Sequence, residues 1–516
     1  MKKRFSFLVA VILAVAVLSP GVAMGAPPPG GYVGSWQLSA EGGFGVGPEN
    51  TAAVPLVEYD GDLYAGVSNE NGCQVWVKGA GGWKQVNQPG FGDADNEAVA
   101  RMATFGGNLY AGTANQASGC EVWKYNGTVW TQVADGSFNK ASNISVTAME
   151  VFGGKLYVGV ANFDMGSMKS DGGEIHSYDG LAWTAEMTDG FGDTRNMAVS
   201  SLATYGGTLY AGTTRVDIKT ELIGFTRIKA TLTSVGCELR KLSGAKWPKV
   251  AGDGFTDKRN AAVSAMEVFD GKLFIGTTNG DATATVDIVT QEVSEYSYET
   301  DGLCVYSYDD VSISEEIRGG FDCPDDFSAN DMVTMDVSGR DMLLVGVGRV
   351  EGVGRLKAFD GSDWFAGALD GFGNPDNRAV SSVAVFDGKA YAGTGNDTSG
   401  CEVWFGTPPA NRGELSETWY LAEGSTNGGF ETWVLVQNPG DEKATAELMF
   451  MTGAGEVAGP TLELEPHSRR SVDVGVTVPG EWDVSTKVTA DHPVIAERAM
   501  YWNNRTGGHD SIGAII

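Results

Sequence analysis

The chain is 516 residues long and carries a formal net charge of −30 at pH 7. So large a negative charge excludes nucleic acid and anionic membrane surfaces as partners, because both would be repelled. The length allows two or three domains or one large repeat array, and 73 glycines among many Val, Thr, Tyr and Trp point to short strands joined by tight turns.

In chain order, Lys2, Lys3 and Arg4 precede the apolar run Phe5 to Leu18. Ser19-Pro20-Gly21 breaks that run, and Ala23-Met24-Gly25 offers a small-x-small cleavage site. Residues 1–25 therefore read as a secretory signal peptide. A membrane anchor is the competing reading, but the run is short of the roughly 20 residues a bilayer needs. No later segment is apolar enough to span, so the mature chain is expected outside the cell, with cell-envelope association open.

One pattern then recurs seven times, and each copy ends its first strand at Tyr59, Phe105, Phe152, Tyr205, Phe269, Ser338 or Phe386. The steps are 46, 47, 53, 64, 69 and 48 residues. A shortest period in the high forties, with four strand-like pieces per copy, is propeller-blade spacing. In the clearest copy, strand a ends at Phe105, and a Gly-Gly turn leads to strand b, Leu109–Thr113. Strand c is Cys120–Trp123, and an Asn-Gly turn leads to strand d, which opens with Trp130. The strand-d tryptophan recurs at Trp83, Trp183, Trp247 and Trp364, as expected of a residue that fills the space between sheets. The seventh copy stops after Cys401–Trp404, and Ser35-Trp36-Gln37-Leu38 matches its missing strand d. The N-terminal strand should thus close the ring and remove the exposed edges. The expected fold is all-β: a seven-bladed β-propeller over residues 30–406, closed by the N-terminal strand. The Gly-Gly turn, the Leu-Tyr-x-Gly strand and the strand-d Trp resemble kelch-type repeats, a likeness that implies the fold and no particular activity.

Length variation is confined to the b–c loops Ala161–Asp171, Thr214–Ser234 and Thr278–Asp301 of repeats three to five. Variable loops on a rigid scaffold are where binding is usually placed, so the b–c/d–a side is the expected functional face. An asparagine precedes each strand a, at Asn50, Asn96, Asn143, Asn196, Asn260, Asn330 and Asn377. It reads as a turn-forming side chain, with a ring of ligand-reading amides as the sharper alternative. In the d–a loops, Asp93, Asp95, Asp193 and Asp257 are candidate oxygen ligands for Ca²⁺. Arg195 and Arg259 are candidates to hold an acidic sugar. Cys73, Cys120, Cys237, Cys304 and Cys401 read as small buried residues at one strand-c site. Cys323 lies in a d–a loop, and a Cys304–Cys323 disulfide suits a secreted protein.

The four histidines are His176, His467, His492 and His509, with one in the propeller. Copper-radical oxidases share such a propeller but need two His and two Tyr. Ser177–Trp183 is similar to the sialidase Asp-box, with spacings one residue short. After a linker at 407–417, residues 418–516 carry Thr418-Trp419-Tyr420-Leu421-Ala422-Glu423-Gly424, Gly429–Pro439 and Glu497–Trp502. These motifs resemble a module of secreted actinobacterial proteins and, with six or seven short strands, imply a β-sandwich. His509-Asp510-Ser511 are adjacent in sequence, which does not favour triad geometry.

Together these features favour a secreted, non-catalytic binding or adhesion protein whose partner is a cell-wall or extracellular glycan or another surface protein. A secreted carbohydrate-active hydrolase or lyase, and a structural surface-layer component, are the alternatives. No cofactor beyond Ca²⁺ is indicated.

Overall fold

A computed structural model describes residues 35–512 apart from 135, 225, 288–292, 338, 409–415, 439–441 and 504. Residues 1–25, the expected signal peptide, Ser338 and most of the expected 407–417 linker lie outside the described residues. The described chain falls into two compact units, 35–408 and 416–512.

In the first unit, strand pairing builds seven antiparallel sets of four. The set around Ala98–Phe105, Asn108–Ala114, Val122–Tyr125 and Trp130–Ala134 shows the plan, each strand pairing with the next. In the seventh set, Val403–Thr407 pairs with Ser35–Ala40, placing Trp36 opposite Gly406. Each strand a packs against the strands a of both neighbouring sets, from Asn50–Tyr59 round to Ala379–Phe386 and back. The inner strands therefore form a closed ring, which is the strand plan of a β-propeller.

The ring closes because strand b has no side chain where the next set approaches. A Cβ built on Gly112 would lie 2.5 Å from Val146 Cβ, and one on Gly212 would lie 2.4 Å from both Val263 Cβ and Ser201 Oγ. At Gly66, Gly159, Gly276, Gly346 and Gly393, the added atom would stand 2.3–2.8 Å from the neighbouring inner strand or from the bulge of strand a. The Leu-Tyr-x-Gly glycine is thus a packing requirement at all seven copies.

Strand a carries a register shift at the same place in every set, as between Val99 and Arg101 or Val199 and Ser201. The hydroxyls there tie consecutive sets together: Thr147 Oγ1 donates to Val199 O (2.7 Å), Ser200 Oγ to Val263 O (2.8 Å) and Ser382 Oγ to Ala53 O (3.1 Å). At the rim, Trp130, Trp183 and Trp36 donate through Nε1 to the carbonyls of Val86, Val133 and Gly367 of the preceding set, at 2.8–3.1 Å.

The d–a loops are held by a repeated strained phenylalanine. Phe44, Phe91, Phe138, Phe191, Phe255 and Phe372 have φ between 55° and 65°, a conformation that costs a side-chain-bearing residue about 1–2 kcal/mol. Stacking offsets the cost. Phe91 lies 4.9 Å from the Trp123 ring, Phe138 4.0 Å from His176, and Phe372 5.4 Å from Trp404. Where strand c carries a cation instead, Arg240 sits over Phe191 and Lys357 over Phe321.

The variable b–c loops of repeats four and five form a sheet. Thr208–Ile223 runs on past strand b and pairs with Arg227–Ser234, which pairs with Asp281–Asp287, which pairs with Val293–Glu299. Period-two alternation gives this four-stranded paddle two unlike faces. Val216, Ile218, Ala230, Leu232, Ala282, Ala284, Tyr296 and Tyr298 pack over Ile144, Phe163, Met197, Ala198 and Ala261 at the starts of the inner strands. The opposite face carries Asp217, Lys219, Glu221, Lys229, Thr231, Thr233 and Glu295.

Two readings of the repeat are corrected by register. In the sixth set, Asp326, not Asn330, holds the place of the other asparagines: Asp326 opposes Arg349 as Asn143 opposes Asn162. In the fifth set, Leu303 N donates to Asp326 O as Cys120 N does to Asn143 O, so Leu303 takes the cysteine site. Cys304 is one residue further on, and a one-residue step in a strand reverses the face. Its thiol therefore meets Asn260 and Tyr306. Cys323 Sγ lies 3.4 Å from Asp325 and accepts from Arg349 (3.2 Å). Both thiols are free, and the Cys304–Cys323 disulfide is not formed.

The second unit is built on one 19-residue strand, Val484–Trp502. Its first half pairs with Ser416–Gly424 and Ala444–Thr452, its second half with Glu431–Asn438 and Gly507–Ile512. Two sheets thus share a strand and enclose one core that includes Trp419, Val434, Phe450, Val488 and Ala496. His509, Asp510 and Ser511 lie on the last strand; their side chains are outside the described residues.

Gly212→Ala is expected to cost on the order of 3 kcal/mol by overpacking against Val263. Gly81→Ala, where nothing lies within 4 Å and φ is not positive, should stay within about 0.5 kcal/mol. Denaturant unfolding of the two variants measures the difference.

Candidate functional site

The aspartates expected to bind calcium are turn caps. Oδ1 of Asp93, Asp193 and Asp257 accepts from the backbone N–H two residues on, at Asp95, Arg195 and Arg259. Oδ2 accepts from Asn115 (3.3 Å), Arg215 (2.9 Å) and Asn279 (3.3 Å) at the end of strand b. Both oxygens are committed to fastening the d–a loop, and the three residues stand in three different sets. Asp95 is exposed on its loop. Among the described residues, no three His, Cys, Asp or Glu side chains group as a metal site.

Arg195 and Arg259 do not converge either. Arg195 makes a two-pronged contact to Asp193, which with Arg215 holds that carboxyl well below the usual carboxylate range. Arg259 pairs with Asp301 (3.0 Å), at the foot of the paddle. The recurring asparagines act within the loops: Nδ2 of Asn96, Asn196, Asn260 and Asn377 donates to the carbonyl of Gly90, Gly190, Gly254 and Gly371. Each is buried, which leaves no ring of exposed ligand-reading amides.

His176 takes the place of the strand-c tryptophan. Its Nε2 lies 2.8 Å from Glu174, where Trp123 donates to Glu121. The Asp-box-like segment is the c–d hairpin, with Asp179 Oδ1 accepting from the N–H of Leu181 and Ala182.

Four ionisable residues on the inner ring escaped the sequence reading. Glu150, Glu267, Asp331 and Arg101 lie on strands a of sets three, five, six and two. Glu267 Oε1 accepts from Thr334 N (3.0 Å), Asp331 Oδ2 from Val383 N (3.0 Å) and Glu150 from Thr204 N. Each carboxyl thus grips the inner strand of the following set. Burial pushes Glu267 up to about 7 and Asp331 up to about 6, and raises Glu150. The nearby charges of Asp331 and Glu150 add to the rise at Glu267. The available signal was a glutamate at one register of two copies, Met149-Glu150-Val151-Phe152 and Met266-Glu267-Val268-Phe269.

No family model matches the chain, and no curated protein matches it. Solved structures similar to it include the Trypanosoma rangeli sialidase in complex with the inhibitor DANA, at 12% identity over 90% of this chain and 84% of that one (TM-score 0.34). The Neurospora crassa Pan2 WD40 domain shares 10% identity over 75% of this chain and 99% of that one (TM-score 0.39). Thermotoga maritima 1070 shares 17% identity over 20% of this chain and 95% of that one (TM-score 0.18).

A carboxyl raised from about 4.5 to about 7 on folding binds its proton more tightly in the folded state. That contribution is present below the unfolded value and is lost as pH rises through 7, a difference of about 3 kcal/mol. Glu267→Gln keeps an acceptor for Thr334 N–H. It should raise the thermal midpoint by a few degrees at pH 8 and leave it unchanged at pH 4, read by calorimetry.

Proposed function

We propose that this is a secreted, non-catalytic recognition protein. It is a seven-bladed, kelch-like propeller whose paddle is the binding surface, and residues 418–516 form a sandwich-type module associated with the cell envelope. The observation that carries the reading is the paddle itself. The insertions of the fourth and fifth repeats build a four-stranded sheet with one face packed on the inner ring and a polar opposite face. Catalysis needs groups converging on a point. A flat face mixing hydroxyls and charges, such as Lys219, Lys229, Thr231 and Thr233, suits an extended polyhydroxylated polymer of the cell wall. Calcium enters this reading as a possible bridge between ligand and surface acids, not as a resident ion.

Pull-down of the mature protein with purified cell-wall glycan, with and without calcium, tests it. The triple change Lys219→Ala, Lys229→Ala, Thr231→Ala should weaken binding at least about tenfold, or 1.4 kcal/mol. Parent-like binding by this variant would sink the assignment, and binding only to a surface protein would replace the glycan.

One observation favours the second reading, a carbohydrate-active enzyme: the inner ring holds three acids with raised proton affinity, of which Asp331 feels the charge of Arg101 and Glu267 the charges of Asp331 and Glu150. In that case the parent releases reducing ends from a polysaccharide panel, and Glu267→Gln and Asp331→Asn do not.

A further inference from the structure

Six of the seven sets open strand d with tryptophan: Trp36, Trp83, Trp130, Trp183, Trp247 and Trp364. In the fifth, register puts Ile313 there, since Ile313 opposes Tyr308 as Trp130 opposes Tyr125. In three of the tryptophan-bearing sets the indole spans the gap to the preceding set and donates to a carbonyl, Trp36 to Gly367, Trp130 to Val86 and Trp183 to Val133, while Trp83 donates to Ser39 Oγ. The residue at that acceptor position in the fourth set is Val250, since Arg240 opposes Lys249 as Trp123 opposes Gln132.

With no indole present, a groove of 420 Å³ remains between the fourth and fifth sets. Val250, Ala251, Tyr308 and Ile313, with Pro248 and Val311, form its apolar lining, and its charged lining residues are Lys241 and Lys249. Asp310 (3.5 Å) and Glu238 (2.8 Å) hold the two lysines in place, and each lysine stays well exposed.

The second unit carries a matching group. Trp482 is 59% exposed, the one exposed tryptophan among the described residues. It is flanked in sequence by two acids, the partly buried Glu481 and the exposed Asp483. We propose that Trp482 of a second copy of this chain docks in the groove. Its indole takes the place that the other sets fill with their own tryptophan, and Glu481 and Asp483 meet Lys241 and Lys249. Donor and acceptor surfaces differ, so each copy carries one of each and can engage a neighbour through either. The inference is independent of the glycan reading, because the groove lies at the outer rim and the paddle over the inner ring.

Sedimentation velocity of the full mature chain from micromolar to millimolar concentration tests it. Species larger than the monomer should grow with concentration, as a single buried aromatic anchor permits weak association. Trp482→Ala, a surface change, and Ile313→Trp, which fills the groove from within, should each move the onset at least about tenfold higher. Ile313→Trp should also raise the thermal midpoint. A peptide spanning residues 478–486 should dissociate the assemblies. A monomer throughout the range, or growth that survives Trp482→Ala, overturns the proposal.

Discussion

Everything in the first unit depends on how closely each sheet can approach the next. The approach is set by a glycine in strand b that lies against the valine or alanine of the following inner strand. At 2.4–2.5 Å from Val263 and Val146, there is no room for one more carbon at Gly212 or Gly112. Were one sheet to stand off, the error would recur seven times around the ring, and Ser35–Ala40 would not reach Val403–Thr407. Close approach also brings the hydroxyls of Thr147, Ser200 and Ser382 within reach of the next set's carbonyls, so packing and hydrogen bonding reinforce each other.

This tight inner ring determines what its surroundings can do. Three carboxyls on it are spent on gripping neighbouring strands, and their raised proton affinity is a consequence of burial. The d–a loops have equally little freedom. A left-handed phenylalanine and a buried asparagine fix six of the seven, and in three of these a doubly bonded aspartate adds to the hold. Loops so fully committed are poor places for a ligand, whatever their side chains suggest. What remains free is the outer face of the paddle, which owes its rigidity to the apolar face beneath it.

The repeat, the ring closure and the inter-sheet role of the tryptophans were legible in the sequence because they recur, and recurrence averages out local ambiguity. Two assignments failed where a copy departs from the others by a residue or more. Cys304 sits next to the cysteine site, and Asn330 sits four residues past the asparagine site now held by Asp326. Period-two side-chain geometry makes the one-residue slip at Cys304 change the face of that residue. The paddle was missed for a different reason. Its apolar positions at Val216, Ile218, Ala230, Leu232, Ala282 and Ala284 alternate cleanly, yet the insertions were read only as variable loops, because the pairing that joins their two hairpins is distant in sequence. Arg227–Ser234 pairs with Asp281–Asp287, with two strands of the fourth set and two of the fifth between them. The candidate aspartates and arginines were located on the right loops, but their partners on strand b could not be read without the fold.

The central claim is that the long insertions are an ordered sheet seated on the inner ring. Amide hydrogen exchange of residues 216–234 and 281–287 measures this directly. Protection comparable to that of the inner strands Asn196–Tyr205 and Asn260–Phe269 is the predicted result. Exchange at the rate of an open loop would contradict the account and return the propeller face to solvent.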